Sequence, residues 1–327
     1  MDRENIIKIA ELFNSKDNFL LTAHVNPEGD SIGSQLAVYH MLKKLGKSVI
    51  VLNQDPVPEN LKFLPGAEAV SQNIPEGVED HIAVILDCPV PERIGNIYRA
   101  FAEEQFKVNI DHHVSNEFFG DLNWVDTEAS SAGEMIYNLS REMKISIDRN
   151  IASNLYAAIL TDTGMFNYDN TSAETHMIAG ELLKTGVSAR DMYGRIYEQR
   201  SPSEVRILGK VLNTLTIGQD KRIAHMVLTK DMCAGENGKN IPTDGFINFA
   251  RSVKGVEVAV FFRENTDDPK KINISFRSSE KINVNRIASR FGGGGHTKAS
   301  GCVLLTGLEQ AKKEILSEVE KALRENM

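Results

Sequence analysis

Val108-Asn109-Ile110-Asp111-His112-His113 is the stretch on which the reading of this chain turns. The run from Phe106 to Ile110 has the length and apolar character of a short buried strand. It ends in a carboxylate and two imidazoles with no spacer. In an open α/β sheet, ligands gather beyond the carboxyl ends of the strands. A strand that delivers an acid and two imidazoles to that edge delivers donors for a divalent cation. A solvated turn after a strand would look the same in isolation, so the surrounding sequence has to decide.

Three other apolar segments end in the same way. Asn18 to Ala23 reads as a buried strand and runs into His24-Val25-Asn26-Pro27-Glu28-Gly29-Asp30. Pro27 and Gly29 mark a tight loop, and a tight loop can turn His24, Glu28 and Asp30 toward one point. Glu28 and Asp30 also have a plain role, as negative charge at the start of a helix. That helix is expected from Ser31 to Leu45, with Gly46 suited to its end. A second strand follows at Ser48 to Leu52, which completes a β-loop-α-β unit and opens a parallel sheet. Ile82 to Leu86 is another buried strand, and Asp87 ends it. Pro89 and Pro91 make the next segment a turn. Cys88 in that turn reads as a small packed side chain rather than a nucleophile. Arg93 is either a phosphate contact or a surface ion-pair partner. Ser131 and Glu134 have capping-box spacing for a helix to about Met143; the same N-terminus could hold an anion. A helix from about Asn150 to Leu160 ends at Thr161-Asp162-Thr163-Gly164 and supplies the fourth acid.

Composition sets outer bounds. With 327 residues, 41% hydrophobic and 25% charged, the chain has ordinary globular make-up, and its length suggests two domains. Cys88, Cys233 and Cys302 are scattered and build neither a disulfide framework nor a structural zinc site. Such usage fits a cytoplasmic protein. The first eighteen residues are charged and read as an amphipathic helix rather than a signal peptide, and no apolar run is long enough to span a membrane. The net charge of −8 argues against binding along duplex nucleic acid. Between Arg251 and Lys298, however, Lys and Arg exceed Asp and Glu by five. A small basic patch on an acidic protein suits a small anionic ligand.

The expected architecture is α/β, with an N-terminal parallel-sheet domain, a smaller C-terminal α/β domain and a cleft between them. Helical segments around 188–216 read as a connection, which gives domains of 1–187 and 217–327. In the second domain, strands are expected at Ile223 to Thr229, Val256 to Arg263 and Lys271 to Ser278. A short helix from Val284 to Phe291 and a closing helix from Leu308 to Arg324 complete it. Between those helices stands Gly292-Gly293-Gly294-Gly295-His296, then Ala299-Ser300-Gly301. Four adjacent glycines are costly in conformational entropy. They are read here as backbone that comes close to a ligand and turns N–H groups toward an anion, with His296 as a phosphate or base contact. The alternative is a flexible turn.

His24, Glu28, Asp30, Asp87, His112 and Asp162 together offer two imidazoles and four carboxylates. That mixture suits Mn²⁺ above all, with Mg²⁺ or Co²⁺ as substitutes. Six donors exceed what one four-coordinate ion needs and suffice for two ions about 3.5–4 Å apart, an arrangement that serves phosphate-ester hydrolysis.

At this point the chain resembles the DHH phosphoesterase superfamily. His24-x-x-Pro-x-Gly-Asp30, Asp87, Asp111-His112-His113 and Asp162 are similar to its four motifs in order. Gly292 to His296, with Ala299 and Gly301, is similar to the glycine-rich motif of the DHH-associated domain. The resemblance covers essentially the whole chain, and the group it points to is the oligoribonuclease and pAp phosphatases. It implies that His24, Glu28 and Asp87 hold one ion, and that Asp30, Asp87, His112 and Asp162 hold the other, with Asp87 shared. It further implies that Asp111 orients an imidazole and that His113 stabilises charge at the scissile phosphate. Arg277, Ser278, the Gly292, Gly293, Gly294 and Gly295 backbone and His296 would grip the substrate. The implied substrates are RNA a few nucleotides long and 3′-phosphoadenosine 5′-phosphate (pAp). Cyclic di-AMP or its linear product pApA is the runner-up, and a non-catalytic nucleotide sensor is the reading from another class. A homodimer is implied by the resemblance alone. The family often has Asp where this chain has Glu28, which is one methylene longer.

Overall fold

The computed structural model describes residues 3–235, 243, 245–268, 270–279 and 282–325. The chain forms two compact units, Met1–Gln199 and Arg200–Met327. The first contains α1 (Arg3–Ser15), β1 (Asn18–Ala23), α2 (Gly29–Lys44), β2 (Ser48–Leu52), β3 (Val70–Ser71), β4 (Ile82–Leu86), β5 (Lys107–Asp111) and β6 (Leu122–Val125). Four helices follow: α3 (Ala132–Glu142), α4 (Arg149–Asp162), α5 (Ala173–Lys184) and α6 (Ala189–Tyr197).

Its sheet has the order β3-β2-β1-β4-β5-β6, and every pairing is parallel. The strands are buried on both faces, as parallel strands must be. Phe19, Leu21, Val84 and Leu86 face the helical layer, while Leu20, Ala83 and Ile85 face a second apolar layer with Ile94 and Ile97. Strand order reverses between β1 and β4, so the topological switch point lies at the ends of those two strands. His24 follows the last residue of β1 and Asp87 follows the last residue of β4. β6 was not foreseen: four residues around the fully buried Trp124 add a parallel edge strand.

Two helix ends differ from the expectation in ways that move donors. α2 begins at Gly29, so Asp30 stands in its first turn and not in the loop. α4 runs through Asp162, and in its last turn the Thr161 hydroxyl donates to the carbonyls of Ala157 and Ala158. α2 packs on α4 through small residues. A Cβ on Gly33 would collide with the Asn154 carbonyl and Ala158, and one on Gly133 of α3 would collide with Ala158. That close approach puts the start of α2, the start of α3 and the end of α4 side by side.

The second unit contains α7 (Pro202–Leu212), β7 (Thr216–Ile217), β8 (Ile223–Leu228), α8 (Phe246–Arg251), β9 (Val258–Glu264), β10 (Lys271–Ser278), α9 (Val284–Ser289), β11 (Gly294–Gly295), β12 (Ala299–Leu305) and α10 (Leu308–Glu325). Its sheet runs β11-β12-β10-β9-β8-β7; β8 and β9 pair in parallel and the other described pairings are antiparallel. One face is covered by α9 and α10 and the other by α7 and α8. The stretch read as a connection is divided between the units. Met192 and Ile196 of α6 join the first core, and Ile207 and Val211 of α7 join the second. Among the described residues, no helix is long and apolar enough to cross a membrane.

Candidate active site

The parallel sheet brings eight of the expected residues together: His24, Glu28, Asp30, Asp87, Asp111, His112, His113 and Asp162. Three overlapping sets have donor atoms close enough to share an ion: His24, Glu28 and Asp87; Asp30, His112 and Asp162; and Asp87, His112 and His113. Asp87 is common to two of them. Its backbone has a φ of 53°, a left-handed conformation that a non-glycine residue adopts at a cost. Its N–H donates to the Ile110 carbonyl at 2.9 Å, so the strained turn is tied to β5.

The imidazoles are oriented before any ion arrives. A backbone carbonyl can only accept, so His24 Nδ1 donates to Val25 O at 2.7 Å, and His112 Nδ1 donates to Ala129 O at 3.3 Å. Each ring therefore turns Nε2 to the acids. His24 Nε2 lies 3.4 Å from Asp87. His112 Nε2 lies 3.6 Å from Asp30, 3.5 Å from Asp87 and 3.6 Å from Asp162. Fixing one ring nitrogen to present the other is the usual arrangement of a metal-binding histidine. His24 Nε2 and both Asp87 carboxylate oxygens are buried with no hydrogen-bond partner. Buried polar atoms are rarely left in that state, and a divalent cation bound among these donors would satisfy them. The donor set fits such an ion.

Like charge at close range marks the cluster electrostatically. Burial pushes the Asp30 carboxyl well above its usual range, and Asp87 and Asp162 push it further. Asp162 is raised to about 7, first by burial and then by Asp87 and Glu28. Glu28, whose side chain reaches solvent, is raised by the surrounding protein and by Asp87. Asp87 goes the other way. Burial opposes its charge, but the His112 and His24 imidazoles outweigh it and hold the carboxyl low. His112 is raised well above its usual value, because the three acids overcome its own burial. Without an ion, these groups share protons to survive together; a cation would replace those protons.

Several supporting residues carry no signal in the sequence. The N–H groups of Ala132 and Gly133 donate to the Asp30 carboxylate at 2.7 and 2.9 Å. The anion at this helix start is thus the chain's own Asp30. Ser131 does cap α3, accepting from Glu134 N at 3.0 Å. The Glu134 carboxylate instead accepts from the hydroxyls of Ser130 and Thr175. Asp111 Oδ1 lies 2.7 Å from His113 Nδ1, while its other oxygen accepts from Asn116 Nδ2 at 2.6 Å. Asn116 also donates to Asn109, which donates to the Cys88 carbonyl at 3.0 Å. Asn170 donates to the Ser130 carbonyl and approaches Asp162 at 3.4 Å. Cys88 is fully buried, its thiol pushed up to about 12 by that burial, which fits the packed role expected of it.

In the second unit, two expectations need correction. The four glycines are not free of packing duties. A Cβ on Gly293 would collide with Gly301 and Cys302, and one on Gly295 (φ 138°) with the Ala299 carbonyl and Ser300. Those two glycines let β11 lie against β12. Gly292, with a φ of 71°, meets nothing within 4 Å, and Gly294 nothing closer than Asn285 at 3.9 Å, so packing constrains neither of these two. Ser278 is also turned inward: it is 3% exposed, and its hydroxyl donates to the Ile282 carbonyl at 2.6 Å. Strand alternation puts Arg277 on the opposite face, beside Ala259 and Ala299 in neighbouring strands. His296 is exposed at the tip of the β11–β12 turn, its N–H donating to Ala299 O at 2.8 Å.

Comparison with known proteins places this geometry in a family. Residues 18–159 match the model of the DHH family N-terminal domain, and residues 221–325 match the DHHA1 domain. A Thermus thermophilus protein named bifunctional oligoribonuclease and PAP phosphatase NrnA is 33% identical over 322 residues, 98% of this chain and 95% of the relative. The Bacillus subtilis protein of the same name is 28% identical, covering 95% of this chain and 96% of its own length. The crystal structure of an exopolyphosphatase-related protein from Bacteroides fragilis superposes with a TM-score of 0.90 at 31% identity, over 99% of this chain and 96% of that one. A buried cluster of acids and imidazoles at the switch point of the first sheet, a glycine turn in the second unit and full-length relatives lead to one assignment: the chain belongs to the DHH family, with a DHHA1 domain at its C-terminal end.

Proposed function

We propose that this protein is a metal-dependent phosphoesterase that hydrolyses RNA a few nucleotides long to mononucleotides, and pAp to AMP. The observation that carries the reading is the overlap of the donor sets formed by His24, Glu28, Asp30, Asp87, His112 and Asp162, with the Asp87 oxygens buried without a hydrogen-bond partner. The names of the full-length relatives support the substrate class. His24, Glu28 and Asp87 would hold one divalent ion, and Asp30, Asp87, His112 and Asp162 a second, with Mn²⁺ best suited to this oxygen and nitrogen set. When bound, such ions lower the pKa of a water molecule and neutralise charge on phosphate oxygens.

The chain's own groups do the rest. Asp111, held by Asn116, keeps the His113 ring in one orientation. His113 then stabilises negative charge that develops on the phosphate during attack. In the second unit, Arg277, the Gly294 backbone and His296 recognise a nucleotide phosphate. Arg277 provides a planar donor fork suited to that group.

The deciding experiment is hydrolysis by metal-stripped protein with Mn²⁺ added back. The substrates are a 5′-phosphorylated RNA dinucleotide, pAp, cyclic di-AMP, pyrophosphate and a 24-nucleotide RNA. We expect Mn²⁺-dependent turnover of the dinucleotide and pAp, with the long RNA nearly inert. Preferred opening of cyclic di-AMP would move the protein to a cyclic-dinucleotide phosphodiesterase. Mn²⁺ binding with no turnover of any substrate would overturn the enzymatic reading.

A further inference from the structure

We propose that Arg93 is a phosphate-binding residue of this site, contacting a non-bridging oxygen of the scissile phosphate on the side of His24 and Glu28. The inference rests on the phosphoesterase reading above and adds a residue to it. Arg93 lies in the turn that follows β4, six residues after Asp87. Its carbonyl accepts from the Val25 N–H at 2.6 Å, which fastens the turn to the His24 loop. The turn is held rigidly. Gly95 has a φ of 74°, and a Cβ there would collide with Gln54 and Val25; the neighbouring Asn96 N–H donates to Gln54 at 2.6 Å. This turn holds a half-buried arginine beside the His24 loop.

The guanidinium makes no hydrogen bond, ion pair or ring contact with any described residue. An arginine brought this close to acids would ordinarily pair with one. Here it acts from beyond contact distance: its charge is felt by His24 and Glu28 and by the Cys88 thiol. The charges of the site give it a task. Four carboxylates, from Glu28, Asp30, Asp87 and Asp162, balance two divalent ions. An attacking hydroxide and a phosphate ester then each bring negative charge, more than His113 alone would offset. A fixed cation with free donors, held beside the His24 loop by a braced turn, meets that need without competing for the ions. Arginine suits it because its fork binds phosphate oxygens in a fixed geometry, and a preorganised donor of this kind is worth about 100-fold in rate.

The test compares wild type, Arg93→Met and Arg93→Lys as full-length, Mn²⁺-loaded protein. Titration calorimetry reads Mn²⁺ affinity and then inorganic phosphate affinity; thermal unfolding reports folding; kcat and KM are measured on the RNA dinucleotide and pAp. The proposal expects Arg93→Met to keep wild-type Mn²⁺ affinity and melting temperature. Phosphate should bind it at least 10-fold more weakly, and kcat/KM should fall about 100-fold. Arg93→Lys should recover part of both. Unchanged phosphate affinity in Arg93→Met overturns the proposal. So does a parallel loss of Mn²⁺ affinity, which would make Arg93 a support for the cluster; should Arg93→Met fail to fold, wild-type phosphate affinity in Arg93→Lys without any loss of rate does the same. If wild type turns over neither substrate yet binds phosphate through Arg93, the substrate assignment falls while the anion site stands.

Discussion

At the scale of single residues, the site is a set of acids that cannot all be ionised without a cation. Asp162, raised to about 7, is the group through which pH is felt most directly. Protonated Asp162 cannot serve as a donor, so raising pH through 7 frees it and strengthens ion binding. We expect the Mn²⁺ affinity of the stripped protein to climb over about one pH unit either side of 7, with protons released on binding. Calorimetry in buffers of different ionisation enthalpy would read that release; a flat affinity would exclude it. Asp87→Ala removes the carboxylate common to two donor sets. It should abolish detectable hydrolysis and weaken Mn²⁺ binding while the melting temperature of the stripped protein holds or rises, since a buried charge is deleted. Turnover near wild type would remove Asp87 from the chemistry. Asn116→Leu leaves a buried Asp111 oxygen without its donor, which costs about 1–3 kcal/mol. Its activity should fall without a change in Mn²⁺ affinity, because Asn116 acts on the centre through Asp111 and His113.

At the scale of elements, the site depends on how closely α2, α3 and α4 pack. Gly33 has no room for a methyl group against Asn154 and Ala158. Gly33→Ala should cost about 1–3 kcal/mol by overpacking and should part Asp30 from Asp162, weakening the second donor set more than the first. Equal stability by denaturant unfolding would show that the helices can yield. α4 starts on Asp148, whose carboxylate accepts from the N–H groups of Asn150 and Ile151 and pairs with Lys44 at 2.8 Å. Although burial opposes it, the pairing with Lys44 and the helix start lower its pKa. A carboxylate lowered in the fold stabilises above its unfolded pKa and loses that contribution as pH falls through the folded value. Asp148→Asn keeps the cap and deletes the charge. The wild type should therefore be more stable by about 0.5 kcal/mol at pH 7, a small figure because the pair is solvent-screened. The difference should fade as pH drops below about 4. A gap that persists in acid would assign the effect to geometry and not charge.

At the scale of the whole molecule, each unit has a sheet covered on both faces by its own apolar layers. Residues 200–327 expressed alone should unfold cooperatively, and Mn²⁺ should leave that transition in place. In the full chain, Mn²⁺ should raise the transition belonging to residues 1–199, since only the state that binds the ion gains from it. A metal-dependent shift in the isolated second unit would reveal an ion site outside the cluster described here.

The sequence by itself determined the acids, the imidazoles and the strands that carry them, because each is written locally: an apolar run of five or six residues, then a donor. It also marked the domain class, through a β-loop-α-β opening and later alternating strands. It misjudged the glycine turn, because whether Gly293 and Gly295 face a ligand or the β12 backbone depends on a strand that pairs with them only after folding. Ser278 and Arg277 were indistinguishable neighbours until strand alternation turned one inward. Asn116, Asn109 and Asn170 were invisible, since an amide has no periodic signature and acquires its meaning from the partner across the fold. Arg93 was legible only as a choice between two roles. Tertiary structure bears on that choice by fastening its turn to the His24 loop and leaving its guanidinium without a partner among the described residues, which is a property of distances and cannot be read from the order of residues.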